Sequence, residues 1–246
     1  MDSKAYTVSS NIGYNQVDKD GLVRSISTVQ LFEEAAIEHC YEINRNVFDL
    51  LKEGYGWVLR SGSIGFQFYP CYGEKVKTTT WISRWSPFQG VREFLLTNEE
   101  EQICAKATSL WAYIDMEKRR PSLIPEVFRK EWYFDSRRAM DTIFVKHPID
   151  IPPNSLQKSF HIRRQDIDSN NHVHNGKYLE WIMEIVPERF YTEKRIKTME
   201  GAFLQEAGKT DQITVEVGIK NEHELVHNVI RIQDGAILAT GRSEWL

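Results

Sequence analysis

Residues 163–181 read RRQDIDSNNHVHNGKYLEW. Positions 166–175 hold two aspartates, three asparagines and two histidines, directly ahead of an apolar period that reads as a helix. A helix start needs one capping side chain, so this stretch carries a surplus of polar groups. It also has a weaker counterpart near the N-terminus. Residues 18–32 read DKDGLVRSISTVQLF, and laying Asp18 on Asp166 also lays Asp20 on Asp168 and Ser27 on Asn175. In that alignment Leu22 and Arg24 stand where the second half has Asn170 and His172.

The organisation around both stretches repeats. In each half an extended segment leads through a polar turn into a helix. The first helix is expected over residues 27–43, with Ser27 and Gln30 at capping-box spacing. The second is expected over 175–190, with Tyr178, Trp181, Ile182 and Ile185 as its apolar stripe and its end near Pro187. Strands follow, over 57–69, 75–86, 91–98 and 102–115 in the first half and over 211–220, 224–233 and 236–246 in the second. The final strands align Ala107-Thr108 with Ala239-Thr240, which leaves the second half shorter between its helix and its last strand. A strand, turn and helix followed by an antiparallel sheet, twice over, is an α+β architecture with each helix buried on a sheet. Between the halves, residues 119–155 carry five of the eight prolines and dense charge, the composition of a linker. Trp132, Tyr133 and Phe134 suggest that part of it packs.

Composition bounds the function. An apolar fraction of 41% and a charged fraction of 27% are those of a globular protein, and no apolar run suits a membrane span. The N-terminus has no apolar leader core, so a cytoplasmic protein is expected. The net charge of −4 argues against nucleic acid as a general partner. Cys40, Cys71 and Cys104 are scattered without zinc-ligand spacing, so they are expected as buried apolar side chains, with no metal and no cofactor.

The chemistry of the cluster can be read from its spacing. Asp168, Asn170 and His172 alternate, so an extended backbone would turn all three to one side. His172 can act as a base or donate a hydrogen bond. Asn170 offers uncharged amide donors that suit a carbonyl or a water, and Asp168 can fix the imidazole tautomer. Such a set suits acyl transfer to water. On spacing alone it reads equally well as a hydrogen-bonded turn with an N-cap, because Asp and Asn favour both. His174 falls on the structural side of that division. There is no GxSxG elbow and no cysteine in the second half, so water is the expected nucleophile.

The stretch 166–187, DIDSNNHVHNGKYLEWIMEIVP, resembles the signature of the fatty acyl-ACP thioesterases, the plant-plastid type and its bacterial relatives. Residues 57–83, 106–126 and 203–213 fit that family in the same order, so the resemblance spans nearly the whole chain. It implies a double hotdog fold: an N-terminal hotdog over residues 1–130 that binds the acyl chain, a linker over 131–155, and a catalytic C-terminal hotdog over 156–246. It implies hydrolysis of an acyl-ACP to free fatty acid, with acyl carrier protein as partner. It carries the catalytic roles onto Asp168, Asn170, His172 and Glu206. Some relatives have a cysteine after the acidic residue; Ala207 here excludes a thiol nucleophile at that position.

Phe32, Ala35, Ala36, Trp57, Phe66, Phe68 and Trp111 are candidates for an acyl channel, although ordinary core is the first reading of each, because every packed helix shows such a stripe. The carrier protein is acidic, so Lys118 to Arg120, Arg137 with Arg138, and Arg163 with Arg164 are candidate docking cations. An acyl-CoA thioesterase and a non-catalytic acyl-binding hotdog are the competing expectations. A homodimer is compatible with either, although a double hotdog completes its pairing within one chain.

Overall fold

The structure, a computed structural model, describes residues 5–246; the first four residues of the stretch read for a leader lie outside them. The chain divides into two compact units. One comprises residues 5–60 and 64–142, the other residues 61–63 and 143–246.

In the N-terminal unit the elements run β1 (Tyr6–Asn11), α1 (Ser25–Glu42), α2 (Val47–Lys52), β2 (Tyr55–Phe66), β3 (Lys75–Trp85), β4 (Gln89–Thr97), β5 (Ile103–Asp115), β6 (Arg120–Pro121) and α3 (Glu126–Glu131). The strand order is β1-β3-β4-β5-β2, with β6 on β5. α1 lies on β1 and β3 and buries Phe32, Ala35, Ala36, His39 and Cys40, the i, i+3, i+4, i+7, i+8 stripe of a core-facing helix. Phe32 stacks on Phe94 of β4 at 5.0 Å, a burial of roughly 2–3 kcal/mol per ring. A second core gathers Cys40, Leu50, Tyr113, Phe128 and Trp132, with Trp57 and Trp85 packed against it. Trp57 is therefore core. Trp132 belongs to the same cluster, so the start of the expected linker packs on this unit. Gly54, with φ +84°, closes α2 in the left-handed conformation that other residues resist.

The C-terminal unit runs β7 (Leu156–His161), α4 (Asn175–Met183), α5 (Glu188–Glu193), β8 (Ile196–Phe203), β9 (Gln212–Ile219), β10 (Glu224–Arg231) and β11 (Ile237–Trp245). Its strand order, β7-β9-β10-β11-β8, repeats that of the first unit. α4 packs on β9 and β10 through Tyr178 and Trp181.

The hydrogen bonds align the two halves differently from the aspartate spacing. Asn11 pairs with Lys75 in one unit and His161 with Gln212 in the other. Asn11 of β1 therefore corresponds to His161 of β7, and Lys75 of β3 to Gln212 of β9. Indole Nε1 of Trp111 donates to Ser109 at 2.7 Å, and that of Trp245 donates to Ser243 at the same distance. Trp111 thus corresponds to Trp245, which sets Ala107 on Gly241 rather than on Ala239. The second half is still the shorter one. Most of the difference lies in the helix: α1 has 18 residues, α4 only 9.

Further corrections concern caps and cysteines. Helix α1 starts at Ser25 with Arg24 as its cap residue and no side-chain cap, so the Ser27–Gln30 capping box is not formed. In α4 the N-cap is His174, whose Nδ1 accepts the Gly176 N–H at 3.1 Å, rather than Asn175. α4 ends at Met183, and the chain is helical again only from Glu188, after Pro187. Proline disfavours helix in the residue before it. Cys40 and Cys104 are buried as expected, but Cys71 is exposed.

Candidate active site

The stretch 163–175 is a closed loop, so the one-sided extended arrangement of Asp168, Asn170 and His172 does not hold. A short 3-10 turn at Arg164–Asp166 opens it, and Ile167 bridges Val173 across its neck. Asp166 is fully buried and accepts from the Arg163 N–H at 2.7 Å and from the Arg163 guanidinium. Burial pushes its carboxyl up, but those Arg163 bonds outweigh it and hold the pKa below the usual value. Asp168 then organises the tip. Its Oδ1 accepts the backbone N–H of Asn170 at 2.8 Å and of His172 at 3.3 Å, while its own N–H donates to the His172 carbonyl at 2.8 Å. This is an Asx-type turn, in which a carboxylate substitutes for backbone acceptors. Asn171 takes φ +63°, which Asn tolerates better than most residues. The Asn170 amide reaches Asp168 Oδ2 only at 3.4 Å, and its Oδ1 accepts nothing among the described residues.

The second segment arrives from β8. Leu204 and Gln205 both donate to the Leu238 carbonyl as the strand ends. Ala207, with no exposed surface, is gripped from two sides. Its carbonyl accepts the Val173 N–H at 2.9 Å, and its N–H donates to the Tyr178 hydroxyl of α4 at 3.0 Å. Val173 follows His172 and Ala207 follows Glu206, so one backbone bond brings the two side chains together. His172 Nε2 and Glu206 Oε2 lie 3.4 Å apart, with side-chain exposures of 25% and 35%, which leaves both open to a reactant. Arg231 supports the segment from β10: Nη1 donates to the Glu206 carbonyl at 3.4 Å, and Nη2 to the Gln205 amide oxygen at 3.2 Å. Burial pushes the Tyr178 phenol up to about 12, so it stays neutral while accepting the Ala207 N–H. Among the described residues no three His, Cys, Asp or Glu side chains converge as metal ligands would.

Of the residues singled out in the sequence, Asp168, Asn170, His172 and Glu206 are thus brought to one place. Tyr178 and Arg231 were missed as parts of the site. Tyr178 read only as one member of an apolar stripe, and no spacing in the sequence pointed to Arg231.

The N-terminal unit supplies an internal control. Asp18 Oδ1 accepts the N–H of Asp20 at 2.9 Å and of Leu22 at 3.1 Å, and the Asp18 N–H donates to the Leu22 carbonyl at 2.8 Å. Val17 bridges Val23, and Gly21, at φ +77°, occupies the station of Asn171. Val23 donates to the Pro70 carbonyl at 2.8 Å, and Gln67 and Phe68 both donate to that of Cys104. The frame is the same in both units, with Val23 at the station of Val173 and Gln67 at that of Leu204. Asp18, Asp20 and Leu22 therefore match Asp168, Asn170 and His172, which corrects the earlier pairing of Leu22 and Arg24 with Asn170 and His172. Tyr69 stands at the Glu206 station and Pro70 at that of Ala207.

Most of the proposed docking cations are already engaged. Lys118 pairs with Asp115, Arg137 with Asp135, Arg138 with the buried Glu93, and Arg163 with Asp166. Arg164 is exposed and has no ion pair among the described residues. Among the described residues no helix is long and apolar enough to cross a membrane.

Residues 3–132 match the sequence model of the acyl-ACP thioesterase N-terminal domain, and residues 151–246 that of the acyl-ACP thioesterase C-terminal domain. A chloroplastic acyl-[acyl-carrier-protein] hydrolase of Cuphea viscosissima is 24% identical over 265 residues, covering 100% of this chain and 63% of the relative. A chloroplastic palmitoyl-acyl carrier protein thioesterase of Arabidopsis thaliana is 27% identical over 274 residues, covering 95% and 66%. The chain thus spans just under two thirds of the length of these curated relatives. Among solved structures, the 12:0-ACP thioesterase of Umbellularia californica superposes with a TM-score of 0.89 at 20% identity, covering 100% of this chain and 98% of the other. An acyl-ACP thioesterase of Bacteroides thetaiotaomicron does so with 0.86 at 22%, covering 99% and 98%. The fold is the double hotdog.

Proposed function

Because the chain belongs to the acyl-ACP thioesterase family, we propose that it is a cytoplasmic acyl-ACP thioesterase that releases free fatty acid from acyl carrier protein. The observation that carries the reading is the His172–Glu206 contact at 3.4 Å, held on a frame whose counterpart in the other unit bears Leu22 and Tyr69.

On this reading a water is activated between Glu206 and His172, which take its proton as its oxygen attacks the thioester carbonyl carbon. The side-chain amide of Asn170, unused as an acceptor, orients the carbonyl or the water. Collapse of the tetrahedral intermediate breaks the C–S bond, and the proton held by the pair passes to the leaving thiolate. A positioned acid–base group contributes about 10²–10⁴-fold to such a reaction. Asp168 supports the loop without touching the substrate. The assignment of residues 1–130 to acyl binding and 156–246 to catalysis, joined by 131–155, is part of the same proposal. Arg120 and Arg164, both exposed and without an ion pair among the described residues, are the candidate cations left to meet an acidic carrier protein.

The test is mass spectrometry of the fatty acids released from a panel of acyl-ACPs, with matching acyl-CoAs alongside. His172→Ala and Glu206→Ala should each lower turnover about 100-fold or more while leaving the melting curve near that of the parent. Unchanged rates in both variants would place the chemistry elsewhere. Equal turnover of the CoA esters would favour an acyl-CoA thioesterase. Release from neither, by folded protein, would favour an acyl-binding module.

A further inference from the structure

Arg231, the last residue of β10, ties the β10–β11 turn to the segment that carries Glu206. Its Nε and Nη2 donate to the two carboxylate oxygens of Asp234 at 3.0 and 2.8 Å. Such a bidentate pair fixes the plane of the guanidinium. The hydrogen bond from Arg231, and next that from the Ala236 N–H, hold the Asp234 pKa down to about 2, so the pair persists at neutral pH. From that plane Nη1 donates to the Glu206 carbonyl at 3.4 Å and Nη2 to the Gln205 amide oxygen at 3.2 Å. Nη1 also lies 3.6 Å from Asp211 Oδ2, the oxygen that accepts the Gly208 N–H at 2.9 Å.

These bonds complete a grip on one peptide. The plane that joins Glu206 to Ala207 carries the Glu206 carbonyl on one edge and the Ala207 N–H on the other. The N–H edge donates to the Tyr178 hydroxyl, and the carbonyl edge accepts from Arg231. One bond alone would leave the peptide a pivot. Two bonds on opposite edges stop its rotation, and that rotation would carry the Glu206 side chain away from His172, 3.4 Å off.

The repeat shows that the fold does not require this arginine. Leu96 pairs with Ala105 and Val229 with Ala239, each just ahead of the same irregularity in register, so Arg231 corresponds to Asn98. Asn98 bonds within its own turn: its Nδ2 donates to Gln102 Oε1 at 3.1 Å, and its Oδ1 accepts the Gln102 N–H at 2.8 Å. At the station of the gripped peptide that unit has Tyr69 and Pro70, and proline has no N–H to hold. Only the unit with an acid to aim has an arginine at the one station and an N–H at the other.

We propose that Arg231 is a positioning residue for the hydrolysis. Clamped on Asp234, it holds the carbonyl edge of the 206–207 peptide while Tyr178 holds the N–H edge, and together they set Glu206 on His172. It acts through Glu206 and does not touch the substrate. This role rests on the hydrolytic reading.

The experiment is steady-state hydrolysis of an acyl-ACP by the parent, Arg231→Ala, Glu206→Ala and the double variant, with thermal unfolding of each. Arg231→Ala should lower kcat about 10–100-fold, the scale of a displacement approaching 1 Å, and leave KM near that of the parent. In the Glu206→Ala background the same change should cost no more than about twofold, because the group it aims is already gone. Asn98→Ala, which removes two bonds from the matching turn, should lower the melting temperature and leave kcat near the parent's. If Arg231→Ala does not fold, Arg231→Lys keeps the charge but cannot serve Asp234 and the Glu206 carbonyl together, and its kcat should fall with the same dependence on Glu206. An equal loss in both backgrounds would overturn the role, since Arg231 would then act through stability or another group. An active parent whose kcat survives Arg231→Ala would overturn it too and leave the hydrolytic reading intact. A folded parent that releases nothing from any acyl-ACP would overturn both.

Discussion

Asp168 belongs to the set that resembles a catalytic signature, yet every strong bond it makes is to the backbone of its own loop. Replacing it by Asn and by Ala separates a scaffold from a chemical role. Both loop N–H groups go to Oδ1, at 2.8 and 3.3 Å, and Oδ2 has only the long contact to Asn170 at 3.4 Å. Asn keeps an oxygen at Oδ1 and gives up the charge and the long contact. Asp168→Asn should therefore cost under ~1 kcal/mol of stability and keep turnover within about tenfold of the parent. Asp168→Ala removes the acceptor from two N–H groups, about 1–3 kcal/mol together. For a chain of this size each kcal/mol is about 2–4 °C in melting temperature. With the tip unanchored, Asn170 and His172 drift, and about 1 Å of misplacement costs on the order of 100-fold in rate.

Asp18 is the built-in control, because it makes the same two bonds at 2.9 and 3.1 Å in the other unit. Asp18→Ala should lower the melting temperature by a similar amount and leave the turnover of bound substrate almost intact. The assay is thermal unfolding beside acyl-ACP hydrolysis for all three variants. An Asp168→Asn protein that melts like the parent and is as inactive as Asp168→Ala would refute the reasoning, since the carboxylate charge itself would then be required.

Tyr178→Phe removes the acceptor of the buried Ala207 N–H, so it should cost about 1–3 kcal/mol and lower kcat more than it raises KM; a changed KM alone would argue against a role in holding Glu206. His39 and His227 are each held down to about 3 by burial. Their share of stability is complete above the unfolded-state value of about 6.5 and is lost as pH falls from there toward 3, at up to ~1.4 kcal/mol per pH unit per histidine. Denaturant midpoints against pH should show this slope, and His227→Gln should flatten it. At Gly241 of β11 an added Cβ would meet the Glu200 carbonyl oxygen of β8 at 2.5 Å and Gly201 Cα at 3.2 Å. Both neighbours are backbone, so Gly241→Ala should destabilise by roughly 1–3 kcal/mol, read as a lower urea midpoint.

The double architecture was legible because it rests on patterns that survive divergence: an apolar helical period after a polar turn, then β-branched runs, twice. The alignment of the two halves was not. Asp18-x-Asp20 and Asp166-x-Asp168 share a spacing, but the carboxylate opposite Asp166 in the fold is replaced by the amide of Gln16, whose Oε1 accepts the Gly13 N–H at 2.8 Å. Side-chain identity misled where hydrogen-bonding role did not. Alternation at Asp168, Asn170 and His172 was likewise ambiguous. A strand puts i, i+2 and i+4 on one face, while an Asx turn gathers the same positions through one carboxylate oxygen. Glu206 lies beyond two helices and a strand from His172, and only the family resemblance singled it out. The bond that unites them, Val173 N–H to the Ala207 carbonyl, is between backbones and leaves no mark on side-chain choice.

The same comparison decides which differences between the halves carry meaning. Because Asp18 and Asp168 build the same loop, the loop and its carboxylate are properties of the fold and would exist without any chemistry. The stations the frame leaves free are the informative ones. At the loop, Leu22 and Tyr69 in one unit become His172 and Glu206 in the other. Pro70, which has no N–H to donate, becomes Ala207, whose N–H meets Tyr178 at the station of Thr28. That last bond stiffens the acidic segment only in the unit that has an acid to hold. In the helix-facing layer the direction reverses: Leu225 and Val217 in the second unit stand where the first has Arg92 and Thr80. Each unit thus departs from its partner toward polarity at a different place, the second at its loop and the first in its core. At the first of these stations Arg92, which has no ion pair among the described residues, carries a desolvation cost that Leu225 does not.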